Sequence, residues 1–271
     1  MSNAPENDID PTQEIVNKIA ASAISSQLES ASKIDVNLNS KVPNLLQGKA
    51  EAVKITGEKI VVVEDIQLEK IDLACQDLSL NLTQAILGKI AFDRPGNFQV
   101  KLIFTQTDCD RLLNSDYVKV LLQNLSLDLD SQPANFYLQQ GICSFDDSGD
   151  ISLTATIVLR RSQQTKTARF KIIFRLDNDG SAIEFISGKY LGKSALDWDE
   201  TAAVMNKAGD LLYLRHFANE DLCFTLNKIR IQNRQLIIQA DTQIDQLPDS
   251  LSQSFKSVCS EINNNDSSDK I

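Results

Sequence analysis

Few side chains in this chain have the type and spacing that covalent or metal chemistry needs. His216 is the one histidine, and a single imidazole reads as structural. Asp108 and Asp110 form a carboxylate pair, but at the expected start of a helix they favour the positive end of its dipole. Asp146-x-Ser148-x-Asp150 resembles a calcium loop. It lacks the glycine and the distal bidentate glutamate of such a loop, so a hairpin turn explains it. Cys75, Cys109, Cys143, Cys223 and Cys259 lie far apart with no paired spacing, which suits small buried residues better than zinc or a disulfide framework. No nucleophile elbow, phosphate-binding glycine loop or zinc-protease motif occurs. The expectation is a protein with no catalytic residues, metal or cofactor.

Composition narrows the partners. Apolar residues make up 42% of the 271 residues, enough for a sizeable core. The formal charge of −10 and a pI near 4.7 repel nucleic acid, so no nucleic-acid partner is expected, and contact with an anionic bilayer must be local. No window reaches the roughly 18–20 apolar residues that span a bilayer. The start of the chain, Met1 to Asp8, is polar and acidic, unlike a signal peptide. The expectation is a cytoplasmic protein, peripheral on that face of a membrane.

Residues 1–10 and 252–271 read as disordered tails, and 11–251 as a single domain, because no linker interrupts it. A helix starts at Pro11, with Asp10 as cap and Gln13 at the capping-box position; its apolar face runs Ile15, Val16, Ile19, Ala20, Ala23, Ile24, Leu28, Ala31. Period-two alternation follows in Ile34-Val36-Leu38, Phe98 to Phe104, Leu125-Leu127-Leu129, Ile151 to Leu159 and Ala168 to Leu176. Turn clusters at 146–150 and 177–180 predict hairpins. Between Ile66 and Leu82 the apolar parity flips across Glu69-Lys70 and again across Gln76-Asp77, and it slips once more across Asn227-Lys228. A β-bulge at each point would keep the dry face inward and bend the sheet. Two further helices are expected. One is capped by Thr107 with Asp110 and breaks at Asn114-Ser115-Asp116; the other starts at Asp197 with Glu200 and carries Trp198, Ala202, Met205, Gly209 and Leu212.

The run Leu45-Leu46-Gln47-Gly48-Lys49 precedes a strand with Val53 and Ile55. Then come Ile66-Gln67-Leu68-Glu69-Lys70-Ile71-Asp72-Leu73, Leu87-Gly88-Lys89-Ile90, Arg94-Pro95 and Thr107-x-x-Asp110-Arg111-Leu112-Leu113. This order resembles the LmeA-like phospholipid-binding family, by motif over residues 12–130 and by strand pattern beyond. The resemblance implies an α+β fold: a long, strongly curved antiparallel sheet wrapped on an N-terminal and one or two further helices, as in elongated TULIP-like domains. It also implies a phospholipid or other long-chain lipid as partner, held without chemistry in an apolar groove for binding, transfer or presentation.

On that expectation the groove candidates are Ile19, Ala23, Val100, Leu102, Phe104, Leu153, Ile157, Phe170, Phe174 and Phe224. No acidic residue lies between Ile151 and Leu176, where Arg160, Arg161, Lys166, Arg169, Lys171 and Arg175 cluster. They form a basic hairpin that would dock on an anionic membrane surface or lipid headgroup at about 1 kcal/mol per charge. The competing reading is a protein-interaction or scaffold module whose core is filled by its own side chains, with the hairpin an ordinary solvated face.

Overall fold

The structure, a computed structural model, describes residues 11–63, 66–86, 89–123, 127–129, 132–146, 149–161, 164–176, 183–192, 196–197, 199–204 and 223–246. Both expected tails, His216, Trp198, Met205, Gly209 and Leu212 lie outside these residues.

Helix α1 spans Pro11–Ser25, and strand β1 spans Lys33–Asn39. A short helix α2 (Val42–Leu45) leads into β2 (Lys49–Val63), β3 (Ile66–Ser79), helix α3 (Leu82–Ile86) and β4 (Ala91–Thr105). Helices α4 (Gln106–Asn114) and α5 (Asp116–Gln123) follow. Next come β5 (Leu127–Leu129), β6 (Gln132–Phe145), β7 (Asp150–Arg161), β8 (Gln164–Leu176) and β9 (Ile183–Tyr190), then β10 (Cys223–Gln232) and β11 (Gln235–Gln246). All described pairings are antiparallel. They build a six-stranded sheet, β1-β2-β3-β4-β11-β10, and a five-stranded one, β5-β6-β7-β8-β9, and neither closes into a barrel. The alternating pattern thus yields the α+β class expected; β6 pairs with β7 on either side of the 146–150 cluster and β8 pairs with β9, while the expected turn at 177–180 lies outside the described residues.

The parity flips in β3 have a cause other than an extra residue. Pairing of β2 with β3 keeps one register from Lys49↔Ser79 to Val61↔Gln67, skipping only Glu51 opposite Asp77 and Lys59 opposite Glu69. At each gap one residue is left-handed: Lys59 at φ 48° and Asp77 at φ 52°. A positive φ rotates the chain so that the next side chains return to the dry face, in both strands together. The slip at Asn227 is a true bulge, with the register shifting between Leu226 and Lys228.

Helix α1 departs from its expected role. None of its residues is buried, and Ile15 and Ile19 are 60% and 65% exposed. Instead of presenting its whole apolar stripe to a sheet face, it lies along the edge strand β1. The Asn17 side chain accepts from the Leu38 N–H (3.0 Å), while the Gln13 amide donates to the Leu38 carbonyl. An open edge strand has unpaired backbone groups, and two amide side chains satisfy them here as a neighbouring strand would.

The same device recurs on the second sheet. Asn114, at the end of α4, donates to the Gly141 carbonyl (2.7 Å) and accepts from its N–H (2.9 Å). Helix α4 starts two residues earlier than expected. Thr105 is the cap, its hydroxyl accepting from the Asp108 N–H (3.2 Å), while Asp108 accepts from the Thr105 N–H (2.8 Å). Both pairs have the cap-x-x-acid spacing; the structure uses the one whose cap residue ends β4.

Three clusters form the core. Under the second sheet, Ala155, Ile157, Leu159, Ala168, Phe170, Ile172 and Phe174 pack against Leu122 of α5 and Val204 of a helical segment at 199–204. A middle cluster joins the two sheets, bringing Ile60, Leu68 and Phe104 against Cys109, Cys143 and Phe145. The third holds Cys75, Phe98, Val100 and Ile244 on the six-stranded sheet.

Candidate functional site

Strand register gives the six-stranded sheet one continuous apolar face. Reading across neighbours, Val36 lies against Ile55, Ile55 against Leu73, Leu73 against Val100, and Val100 against Ala240. The next row runs Leu38, Val53, Cys75, Phe98, Thr242. Val36, Val53, Cys75 and Phe98 are each 4% exposed, so the centre of this face is covered, whereas Ile34, Leu38, Ile55, Leu73, Leu102 and Ile238 are half-buried. Gly57 sits among them because a β-carbon there would lie 2.4 Å from Ile60 Cδ1 and 3.0 Å from both Ile34 and Ile71.

The described depressions open on the other face. One of about 1210 Å³ lies over Asn37, Asn39, Lys54, Gln76, Asn97, Gln99 and Gln243 around the small side chains Ala52 and Ala74. A second of about 510 Å³ adjoins it through Lys54, Ala74, Gln99 and Asp241. Two alanines among long amides leave the hollow, and its lining is mixed, with Val53, Cys75, Pro95 and Phe98 beside the polar side chains. Of the groove candidates only Val100 borders one of these two depressions.

The candidates divide between the sheets. Val100, Leu102 and Phe104 lie on β4 of the apolar face; Phe104 packs in the middle cluster and Val100 in the third. Ile157, Phe170 and Phe174 are 3%, 8% and 6% exposed within the second sheet's core, and Leu153 packs against them. Ile19 and Ala23 are exposed on α1, and the Phe224 side chain lies outside the described residues. The half-buried residues of this face that the sequence did not mark as groove candidates are Ile34, Leu38, Ile55, Leu73 and Ile238. The alternation of 66–82 held the signal for Leu73, but only pairing shows which strands share its row.

The basic hairpin is sorted by its own register. Lys166 shares the parity of Ala168 and Phe170 and so turns inward, where its ammonium meets both carboxylate oxygens of Glu200 (2.6 and 2.8 Å) and lies 3.5 Å from Asp197. The Glu200 side chain is 2% exposed. Glu200 and Asp197 also cap the 199–204 segment reciprocally, Asp197 accepting from the Glu200 N–H (2.9 Å) and Glu200 from the Asp197 N–H (3.0 Å). The hydrogen bond to Glu200 raises the Lys166 pKa, and the Glu200 N–H holds the Asp197 carboxyl below its usual range. Arg175 faces outward but forks onto Asp150 (2.6 and 2.9 Å), and Arg160 stacks 5.0 Å from the Tyr137 ring centroid. Arg169 is exposed, Lys171 half-buried, and the Arg161 side chain outside the described residues.

Several of the described residues considered for chemistry have structural partners, whereas His216, Ser148, Cys259 and the Cys223 side chain lie outside the described residues. Asp110 accepts from the Cys143 N–H (2.5 Å), Asp108 is in its capping box, and Asp146 accepts from the Asp150 N–H (2.9 Å) across the turn. Cys75, Cys109 and Cys143 are buried free thiols. A hydrogen bond to Cys143, reinforced by burial, pushes the Cys109 thiol up, and burial does the same to Cys75, so neither is activated. Among the described residues no group of three or more His, Cys, Asp or Glu is placed to hold a metal ion, and no helix is long and apolar enough to cross a membrane.

No curated protein and no solved structure matches the chain. The model of the LmeA-like phospholipid-binding family matches residues 10–241, from the first residues of α1 into β11, and so takes in both sheets. With the apolar sheet face and the edge-capping helices inside the matched span, the chain belongs to the LmeA-like phospholipid-binding family.

Proposed function

We propose that this protein binds a phospholipid without chemistry, its acyl chains lying on the apolar face of the six-stranded sheet. Membership of a phospholipid-binding family carries the reading. The half-buried residues Leu38, Ile55, Leu73, Leu102 and Ile238, spread over neighbouring rows of that face, support it, because such residues gain most from a ligand that completes their burial. Each buried methylene stabilises by about 0.8 kcal/mol, yet a bilayer offers the same chain nearly the same gain. The net energy of moving a lipid between the two is therefore small, which suits transfer or presentation over storage.

Organic extraction of purified protein followed by mass spectrometry tests this. Co-purifying phospholipid, and uptake of a fluorescent phospholipid that weakens when Leu73 or Leu102 is replaced by Trp, is the expected result. Absence of both lipid and uptake would refute it. The filled core beneath β7 and β8 favours a second reading for that sheet alone, as a scaffold that braces the first.

A further inference from the structure

Two connections at one end of the six-stranded sheet differ from the rest of this acidic chain. From Ser40 to Ala50, joining β1 to β2, and from Leu80 to Phe92, joining β3 to β4, there is no Asp or Glu, although the chain has 37 of them. Lys41, Lys49 and Lys89 all stand in these stretches and are exposed. The large apolar side chains Leu46 and Leu82 are exposed too, at 69% and 44%.

Local geometry brings the connections side by side. The Leu80 N–H donates to the Gly48 carbonyl (2.7 Å), and Gly48 has a left-handed φ of +76°. A β-carbon on Gly48 would lie 2.7 Å from the Leu80 carbonyl oxygen and 3.1 Å from Leu82 Cδ2, so glycine is what lets the loops touch. Leu46 and Leu82 thus flank one contact, and the two connections that meet there carry Lys41, Lys49 and Lys89. Exposed apolar side chains on connections that carry lysines and no acidic residue fit a surface that is anionic outside and hydrocarbon beneath.

We propose that this end of the sheet, through Leu46, Leu82, Lys41, Lys49 and Lys89, docks the protein on an anionic phospholipid bilayer. The proposal rests on the lipid-binding reading for its biological sense, but its physics stands apart. It moves the docking surface away from the β7–β8 hairpin, where Lys166 and Arg175 are held by Glu200 and Asp150.

Co-sedimentation with phosphatidylcholine vesicles containing phosphatidylserine tests it, with pure phosphatidylcholine vesicles in parallel. Each lysine near such a surface is worth about five-fold in affinity. The triple variant Lys41→Ser, Lys49→Ser, Lys89→Ser should bind about a hundred-fold more weakly and lose its preference for the anionic vesicles. Leu46→Ser with Leu82→Ser should weaken binding to both by about ten-fold or more. Leu46→Trp should show emission quenched by brominated acyl chains beyond the parent's signal, a gain that misfolding does not mimic. Wild-type affinity in both loss variants, an unquenched Leu46→Trp, or a parent that binds no vesicle overturns the proposal. Uptake of a soluble short-chain fluorescent phospholipid by the same proteins separates the two readings. Docking without uptake refutes the lipid site alone; uptake without docking refutes the tip alone.

Discussion

Removing the Glu200 carboxylate is expected to destabilise the protein by about 3 kcal/mol. Breaking a buried ion pair by deleting one partner costs about 3–5 kcal/mol, because the other charge is left uncompensated. Lys166 is 27% exposed and keeps Asp197 at 3.5 Å, which puts this pair at the low end of that range. Glu200→Ala also deletes half of a capping box, worth about 0.5–1 kcal/mol. Lys166→Met should cost at least as much, since the carboxylate it abandons is the more deeply buried group. The double variant Lys166→Met, Glu200→Leu should cost clearly less than the two single changes together, because both charges leave at once. Urea titration followed by circular dichroism measures each as a lowered midpoint at unchanged slope. A Glu200→Ala cost below about 1 kcal/mol, or strict additivity in the double variant, would refute the idea that this pair holds the 199–204 segment onto the second sheet. Lys166→Glu also fails as a probe of membrane contact, since it would set a third carboxylate beside Glu200 and Asp197.

Other outcomes follow from particular contacts. Gly57→Ala should destabilise by about 1–3 kcal/mol through overpacking against Ile60, Ile34 and Ile71, read as a lowered melting temperature; a neutral result means the three isoleucines repack freely. Asn17→Ala should cost about 1–2 kcal/mol and increase hydrogen exchange at Leu38, whose N–H loses its acceptor; unchanged protection there contradicts the edge-cap role. Stability should also fall at both ends of the pH scale. The folded Asp197 pKa lies below its unfolded value near 3.9, so its contribution is complete above about pH 4 and lost as pH falls through the folded value. Lys166 is raised above its unfolded value near 10.4, so its contribution is present below that pH and lost as pH rises through the folded value. Asp197→Asn should flatten the acid limb of a melting-temperature profile, and an unchanged limb would assign it to other carboxylates.

Much of this protein is written in local order along the chain. Period-two runs set β4, β7 and β8, the aspartate-rich turn at 146–150 sets the β6–β7 hairpin, and Asp197 with Glu200 set a helix start, because each depends on neighbours within a few residues. The family likeness rests on the same local runs, and the family match extends it across both sheets. What a side chain faces across strands is decided only by pairing. Alternation placed Lys166 among basic residues, but its parity puts it on the inner face against Glu200, 34 residues away. Periodicity gave α1 a broad dry stripe, yet two amides fasten it to a strand edge and leave Ile15 and Ile19 in solvent. The apolar residues of β3 keep one face through two parity flips because left-handed Lys59 and Asp77 turn both strands together. Sequence specifies which positions are apolar; hydrogen-bonded register between distant strands decides which of them meet, and so where a lipid or a membrane would find them.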